Sequence, residues 1–138
     1  MVTKELRDPI KVISEKVDLI LNGTETKDSI KYIMYSSHDD SLGNTLLFLN
    51  PSNLDLTSIP FSASFYLELH YDDDCLKNQK DRSCFTVHAF HNNQPLKFAW
   101  CLDANQKRGS RSDYCQVNDF LAYYDSIKYQ GDLFKACN

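Results

Sequence analysis

The amino-acid sequence predicts an α/β protein with a mixed sheet and flanking helices. Three patterns support this class: apolar residues at steps of three and four near the N-terminus, a continuously apolar stretch at 30–35, and a period of two over 61–72. Helix, strand and helix in that order are typical of a parallel α/β layer. A later hairpin would add antiparallel strands, so the sheet is expected to be mixed.

The first helix is expected to start at Asp8-Pro9, where the aspartate is an N-cap and the proline lies in the first turn. Gly23 is placed to end this helix. The apolar positions recur at alternating steps of four and three and form one stripe: Leu6, Ile10, Ile13, Val17 and Ile20. The helix is therefore amphipathic, with one face directed to a core.

The stretch IKYIMY at 30–35 is predicted to be a central strand, because a strand covered on both faces is apolar along its whole length. His38 and Asp39 follow at its carboxyl end. The sequence therefore places an imidazole and a carboxylate between this strand and the next helix.

Two further helices are predicted. The pattern becomes helical from Ser41, with Asp40 or Ser41 available as the N-cap, and Asn50-Pro51 would stop that helix. A last amphipathic helix is indicated by four apolar positions: Val117, Phe120, Leu121 and Tyr124.

Strands are predicted between these helices. Residues 61–72 alternate between apolar and polar side chains, which indicates a strand with one wetter face. FTVHAF at 85–90 and LKFAW at 96–100 flank the turn residues 92–95 and together predict a hairpin.

Length and charge bound the function. At 138 residues and 42% hydrophobic, the chain fits one domain with a real core. A net charge of −4 gives no electrostatic reason to expect nucleic acid or an anionic membrane as a partner. No apolar run approaches a membrane span, and the first residues are too charged for a signal peptide, so no targeting signal is expected in this chain.

The cysteines favour disulfides over a metal site. They include no C-x-x-C pair and no histidine at zinc-site spacing: Cys75, Cys84, Cys101, Cys115 and Cys137. Disulfides imply an oxidising compartment, and the glycosylation sequon at Asn22 points the same way. The odd count leaves one thiol without a partner in the chain, and no metal or cofactor is predicted.

The His38-Asp39 junction has the chemistry of a phosphate site. Ligands of open α/β sheets collect beyond the carboxyl ends of strands, where helix N-termini attract anions. A protonated His38 would hydrogen-bond a phosphate, and Asp39 would hand a proton to a leaving alcohol. The alternative is that His38 is an ordinary turn residue and that Asp39 or Asp40 is only an N-cap.

Residues 35–39, Tyr-Ser-Ser-His-Asp, lie between the predicted strand and helix. In that context they resemble the second active-site motif of the histidine acid phosphatases, in the branch that contains the prostatic and lysosomal enzymes. Residues 6–10 resemble the start of the helix before this motif, and 60–69 the strand after it. The resemblance covers almost the whole chain. It implies that residues 1–138 are the C-terminal portion of a single histidine-phosphatase α/β domain, which is incomplete here.

The resemblance also implies site roles. Asp39 would be the proton donor and His38 a phosphate ligand, with a phosphate monoester as substrate. The family's nucleophile is a histidine in an Arg-His-Gly motif, which this sequence lacks. The chain is therefore expected to be inactive alone and to need the N-terminal half of the same enzyme as its partner; a homodimer is compatible with this scheme. The parent protein would be extracellular or lysosomal.

The sequence shows two departures from the family pattern. Asp40-Ser41 follows His-Asp where the family usually has Thr-Thr, which adds a negative charge beside the phosphate position. Ser64 stands where many animal members carry a cysteine. The remaining histidines, none of which follows an arginine, are expected to be strand residues rather than nucleophiles: His70, His88 and His91.

The resemblance places a local disulfide between Cys101 and Cys115. We then expect Cys75 to pair with Cys84, and Cys137 to pair with the absent N-terminal half. Each closed loop would be worth about 3 kcal/mol in the loop-entropy model. Exposed apolar surface is expected where the absent layer would pack.

No function is assigned to two clusters of charged residues. Lys107, Arg108 and Arg111 are expected in a solvated loop, and Asp72 to Asp74 lack the glycine and ligand spacing of a calcium loop. The alternative to the phosphatase is a non-catalytic protein, either a degenerate phosphatase or a secreted binding module stabilised by disulfides.

Overall fold

The computed structural model describes residues 2–101, 114–131 and 135, with side chains from residue 5 onward in these ranges. Residues 2–101 and 114–131 contain four helices: α1 (Val2–Leu21), α2 (Asp39–Leu49), α3 (Asp73–Asn78) and α4 (Val117–Ile127). The same ranges contain four strands: β1 (Phe65–Tyr71), β2 (Phe85–His91), β3 (Gln94–Pro95) and β4 (Tyr114–Gln116). Two 3-10 turns, Arg82–Cys84 and Ala99–Cys101, lie before β2 and after β3.

The four strands form one small sheet around β2. β1 pairs with the full length of β2, from Phe65 opposite His91 to Tyr71 opposite Phe85. β3 and β4 share the other edge of β2. Helices packed on a sheet were predicted and are confirmed, but all strand pairs of the described residues are antiparallel. The predicted parallel layer is absent from this part of the chain, which has an α+β arrangement.

The core lies between one face of the sheet and the helices. That face carries alternate side chains of β1 and β2, because successive residues of a strand point to opposite sides. Many of the buried core residues come from α1, α2, β2 and α4, among them Leu6, Ile10, Val17, Leu46, Leu49, Phe85, Val87, Val117 and Phe120. The predicted apolar stripes of α1 and α4 are therefore confirmed.

Helix α1 starts earlier than predicted. It begins at Val2 and runs through Asp8 and Pro9, so Asp8 is not its N-cap. Leu6 is almost fully buried, and we attribute the extra turn to its packing, which offsets the loss of one backbone donor at Pro9. The predicted end is confirmed: Gly23 has a φ of +66°, and the Thr24 N–H donates to the Leu19 carbonyl at 2.9 Å.

The segment 30–35 is not a strand, which corrects the prediction of a central strand. It is irregular, and its apolar side chains are exposed: Ile30 by 61%, Tyr32 by 72% and Met34 by 77%. A strand needs a neighbour for its N–H and C=O groups, and the described residues supply none to this segment. Its apolar composition therefore remains at the surface.

Strand β1 is shorter than predicted. Residues 61–64 precede it, and Ser62 there has a φ of +57°, which breaks an extended chain. Within β1 the predicted alternation is confirmed, because Phe65, Leu67 and Leu69 are half-buried whereas the residues between them are exposed.

The hairpin is confirmed at its turn and shortened after it. Asn92 and Asn93 have φ values of +49° and +64°, as a two-residue type I′ turn requires. Beyond Pro95 the chain bonds to another segment: the Asn53 amide donates to the Pro95 carbonyl at 2.9 Å and accepts from the Lys97 N–H at 2.8 Å. Of the predicted strand at 96–100, Leu96 still donates to the Ala89 carbonyl of β2 at 2.8 Å, and from Lys97 the chain bonds instead to the loop after α2.

The polar link between β1 and β2 folds into α3. The Asp72 side chain caps α3 by accepting from the Cys75 N–H at 2.8 Å. Disulfides join Cys75 to Cys84 and Cys101 to Cys115, the two pairs expected from the sequence. Cys137 lies outside the described residues.

Candidate active site

The predicted site residues lie at the start of α2. His38 is the N-cap of this helix, with an extended backbone, and its carbonyl accepts from the Leu42 N–H at 3.0 Å. The cap was predicted at Asp40 or Ser41; the helix instead takes in Asp39 and Asp40 as its first two residues. The imidazole of His38 makes no capping hydrogen bond. Both His38 and Asp39 are exposed.

Carboxylates fill the N-terminal turn of α2. Asp39 Oδ1 accepts from the Asp40 N–H at 3.0 Å, and Asp40 Oδ1 accepts from the Ser41 N–H at 2.7 Å. Negative side chains are favoured at this end by the helix dipole. An anion that binds here would have to replace these contacts, because the same backbone N–H groups would be its donors.

A shallow depression of about 370 Å³ opens beside this turn. One wall is α2 and the other is the loop of residues 56–59: Asp39, Asp40, Gly43, Asn44, Leu47, Leu56, Thr57, Ser58 and Ile59. No lysine or arginine is among these lining residues, and neither is His38. The depression therefore carries negative charge, and its walls supply Asp39 without a cation to hold a phosphate dianion.

The loop 56–59 was not identified from the sequence. Ile59 Cγ1 lies 3.5 Å from where a Cβ on Gly43 would stand, so the loop packs closely on α2. Residues 56–59 have no periodic pattern and no chemical motif. Their proximity to Asp39 is a tertiary contact, and local sequence carries no signal for it.

The body of α2 is held firmly. Leu46 and Leu49 are buried in the core. Asn50 ends the helix in the left-handed conformation, at a φ of +49°, in agreement with the end predicted at Asn50-Pro51. The Asn50 N–H donates to the Leu46 carbonyl at 2.9 Å. Asp39 is thus carried on a helix whose orientation is set by core packing.

Glu25 organises the loop that leads from α1 toward His38. Its carboxylate accepts from Lys16 of α1 and, at 2.6 Å, from Lys31. These hydrogen bonds, that of Lys16 first, lower the pKa of Glu25, and the bond to Glu25 raises the pKa of Lys31. The start of the exposed segment 30–35 is thereby tied to α1.

The other histidines lie on the sheet and not in the depression. The His70 and His88 rings stack at 4.1 Å on the face away from the core, and His70 Nε2 lies 2.9 Å from a Glu68 carboxylate oxygen. His91 is buried, and its Nε2 has no hydrogen-bond partner among the described residues. The structure does not bring these three residues to Asp39.

The remaining sequence predictions concern metal binding, membrane spans, glycosylation and a basic loop. In the described ranges no group of three or more His, Cys, Asp or Glu side chains is arranged to hold a metal ion. None of the described helices has the length and hydropathy that crossing a membrane requires. Asn22 is exposed directly after α1, where a glycan would meet solvent. Lys107, Arg108 and Arg111 lie outside the described residues.

Comparisons with known proteins identify no family for this chain. This chain matches no family model, no curated protein and no solved structure. The resemblance at residues 35–39 therefore rests on the residues themselves and on their position at the start of α2.

Proposed function

We propose that this chain is the His-Asp portion of a histidine acid phosphatase, a phosphomonoester hydrolase that works through a phosphohistidine. The observation that carries the proposal is the placement of His38 as N-cap and Asp39 as first residue of α2. A phosphate at this position would meet the positive end of the helix dipole. The sequence around the junction, Tyr-Ser-Ser-His-Asp, resembles the family's proton-donor motif.

Asp39 has the role of general acid in this proposal. The nucleophilic histidine of the Arg-His-Gly motif forms a bond to phosphorus while the bond from phosphorus to the ester oxygen breaks. Asp39 gives its proton to that oxygen, and the alcohol leaves. Water then attacks the phosphohistidine and releases phosphate. His38, as imidazolium, donates a hydrogen bond to the phosphate throughout.

The nucleophile and the phosphate-clamping arginines belong to a second polypeptide segment. Two carboxylates and no cation are among the described residues that line the depression at Asp39, and in this proposal the second segment supplies the positive charge. The exposed apolar side chains of residues 30–35 offer a surface for it to pack on. We propose the N-terminal half of the same enzyme as this partner, and an extracellular or lysosomal location, with which the two disulfides agree.

The first experiment is to sequence the native transcript through its 5′ end. The proposal expects an in-frame Arg-His-Gly segment upstream of Met1. The encoded protein is then assayed at acidic pH with β-glycerophosphate, an alkyl ester whose leaving oxygen needs a proton. Asp39→Asn should lower kcat by about 10²–10⁴-fold, the usual contribution of a general acid. Asp28→Asn, an exposed carboxylate in the loop before residue 30, is the matched control and should leave kcat unchanged.

His38→Gln separates binding from proton transfer. Loss of the imidazolium should raise KM for the ester and weaken inhibition by inorganic phosphate, because both depend on the same hydrogen bond. Undiminished turnover in Asp39→Asn would remove the proton-donor role. A transcript that starts at Met1 with no upstream motif would remove the phosphatase itself.

A second function is favoured by the charge of the depression. Asp39 and Asp40 each accept a hydrogen bond from a backbone N–H group, and the described part of the lining holds no cation. Such a site fits a non-catalytic protein, either a degenerate phosphatase or a secreted binding module stabilised by disulfides. Phosphate binding without turnover in the complete protein would favour this second function.

A further inference from the structure

A larger cavity lies on another side of the molecule, between α1 and α4. Its volume is about 750 Å³, within the range of ordinary small-molecule sites. The 3-10 turn before β2 contributes Arg82, and the chain after α4 contributes Lys128, Tyr129 and Gly131. None of the residues that line the Asp39 depression lines this cavity. It is therefore independent of the proposed phosphatase chemistry.

The cavity concentrates positive charge on an acidic protein. Among the described residues, its lining includes four cations, Arg7, Lys11, Arg82 and Lys128, and one carboxylate, Asp125. The whole chain, by contrast, has a net charge of −4. Each of these cations also pairs with a carboxylate: Arg7 with Asp8, Lys11 with Glu15, Arg82 with Asp18 and Lys128 with Asp125. The pairs of Arg7 and Lys11 are exposed and long, at 3.8 and 3.6 Å, so these two cations are only weakly neutralised and can attract an anion.

Arg82 is held with part of its guanidinium available to a ligand. Its Nη2 donates to Asp18 at 2.6 Å and to Ser14 at 3.5 Å. Both hydrogen bonds use Nη2, and within the described residues its Nε and Nη1 groups donate to nothing. The side chain is also only one-third exposed, at 33%, so its orientation is set before any ligand binds.

The floor of the cavity is apolar. Ile10, Leu121 and Tyr124 contribute to the lining, and Lys128 Nζ lies 5.9 Å from the centre of the Tyr124 ring. Burial raises the pKa of Tyr124, while the positive charges of Lys128 and Arg7 oppose that rise. Both cations therefore act on the same ring, above the apolar floor.

Tyr129 forms one end of the cavity. A Cβ on Gly131 would stand 2.5 Å from the Tyr129 hydroxyl oxygen, so the tyrosine ring folds back over the glycine. Glycine at this position lets the ring close that end, and the cavity thereby gains a second aromatic side chain.

We propose that the α1–α4 cavity binds a small amphipathic organic anion. Its carboxylate, sulfonate or phosphate group contacts the cations of the lining, and its apolar body lies on Ile10, Leu121 and Tyr124. The cations orient the charged group, and the apolar floor and aromatic end supply contact area for a ring or short alkyl chain. A concave site of this volume fits a small molecule rather than an extended polymer.

The test uses naphthalene-2-sulfonate as the probe and the whole chain as the protein. Methyl NMR spectra are followed during the titration, with naphthalene-2-sulfonamide as the uncharged counterpart. The proposal expects saturable shifts at Leu121 and Ala122, and an affinity for the sulfonate about tenfold higher than for the sulfonamide. Shifts confined to residues outside the cavity, or equal affinity for the two probes, would overturn it.

Two double variants distinguish binding in the cavity from an effect of the protein's net charge. Lys11→Gln with Lys128→Gln should weaken sulfonate binding by about tenfold, since two partly exposed charged donors are removed. Lys27→Gln with Lys97→Gln removes the same charge at exposed positions outside the cavity and should leave the affinity unchanged. Equal weakening in both pairs would assign the effect to net charge and overturn the site.

Asp125→Asn tests the site by a gain of affinity. Asp125 is the carboxylate of the lining, and it holds Lys128 in an ion pair. Its removal should tighten sulfonate binding by about threefold at low salt, because one repulsion is lost and Lys128 is released. Weaker binding in Asp125→Asn would contradict the proposed role of the cations. Thermal unfolding of each variant checks that all of them are folded.

Discussion

The indole of Trp100 stacks on the phenol ring of Tyr123, with ring centres 3.9 Å apart and planes 5° from parallel. Each ring also hydrogen-bonds the last turn of α2: Trp100 Nε1 donates to the Leu49 carbonyl at 3.0 Å, and the Tyr123 hydroxyl donates to the Phe48 carbonyl at 3.1 Å. The final carbonyls of a helix have no partner within it. The aromatic pair therefore caps the helix that carries Asp39 at its other end.

Removal of either hydrogen bond should destabilise the fold. Tyr123→Phe keeps the stacking and loses one donor, which should lower the free energy of unfolding by about 1 kcal/mol. Trp100→Phe also reduces the stacked area and should cost about 2 kcal/mol. Urea unfolding curves measure both. Tyr32→Phe, on an exposed ring, is the control and should leave the midpoint unchanged; an equal shift in that control would contradict the capping role.

Local patterns predicted the elements that bury a continuous stripe. Val17 and Phe120 recur with their neighbours at helical spacing, and the alternation at Leu67 follows the pleat, so one-dimensional periodicity was sufficient there. The turn at Asn92-Asn93 was equally local, because asparagine tolerates a positive φ.

Two of the failed strand predictions depended on partners distant in sequence. A continuously apolar run such as 30–35 is typical of a central strand, but the sequence pattern does not show whether a neighbouring strand is present. The described residues provide no strand that pairs with it. The hairpin ends after Leu96 because Asn53 hydrogen-bonds the backbone groups of Pro95 and Lys97. The rim of the α1–α4 cavity likewise joins Arg7, Arg82 and Lys128, which no local motif connects.

The two disulfides should contribute similar stability. They close loops with sequence separations of 9 and 14, for which the chain-entropy model gives about 3 kcal/mol each. Replacement of Cys75 and Cys84 by serine, or of Cys101 and Cys115, should each lower the free energy of unfolding by that amount in urea. Peptide mapping without reduction checks the pairing, and a bridge between Cys137 and Cys75 would contradict it.

Glu25 should make stability depend on pH on the acid side. Its pKa is lowered from 4.5 by the hydrogen bonds from Lys16 and Lys31, so its ionised form is favoured in the folded state. The stabilisation is fully present above pH 4.5 and is lost as the pH falls through the lowered pKa. Glu25→Gln should therefore be less stable than the wild type at neutral pH, with a difference that shrinks in acid. Thermal unfolding from pH 7 to pH 3 measures this.

Glu15→Gln is the matched control for that titration. Glu15 forms only an exposed pair with Lys11 one turn away on α1, at 3.6 Å. Its replacement should give the same pH profile as the wild type. A Glu25→Gln profile parallel to the wild type down to pH 3 would show that the Lys16 and Lys31 contacts do not stabilise the folded chain.

The exposed segment 30–35 should govern self-association of the isolated chain. Ile30 and Met34 are exposed by 61% and 77%, in a run with high β-propensity and no proline, which is the composition of an aggregation-prone segment. Ile30→Lys with Met34→Lys should lower association in sedimentation velocity and change the free energy of unfolding by less than about 0.5 kcal/mol. Leu47→Lys with Phe61→Lys adds the same charge at other exposed apolar positions and should leave association unchanged. A large loss of stability in the first pair would mean that Ile30 and Met34 are buried in the native protein. Equal effects of the two pairs on association would assign it to net charge rather than to this segment.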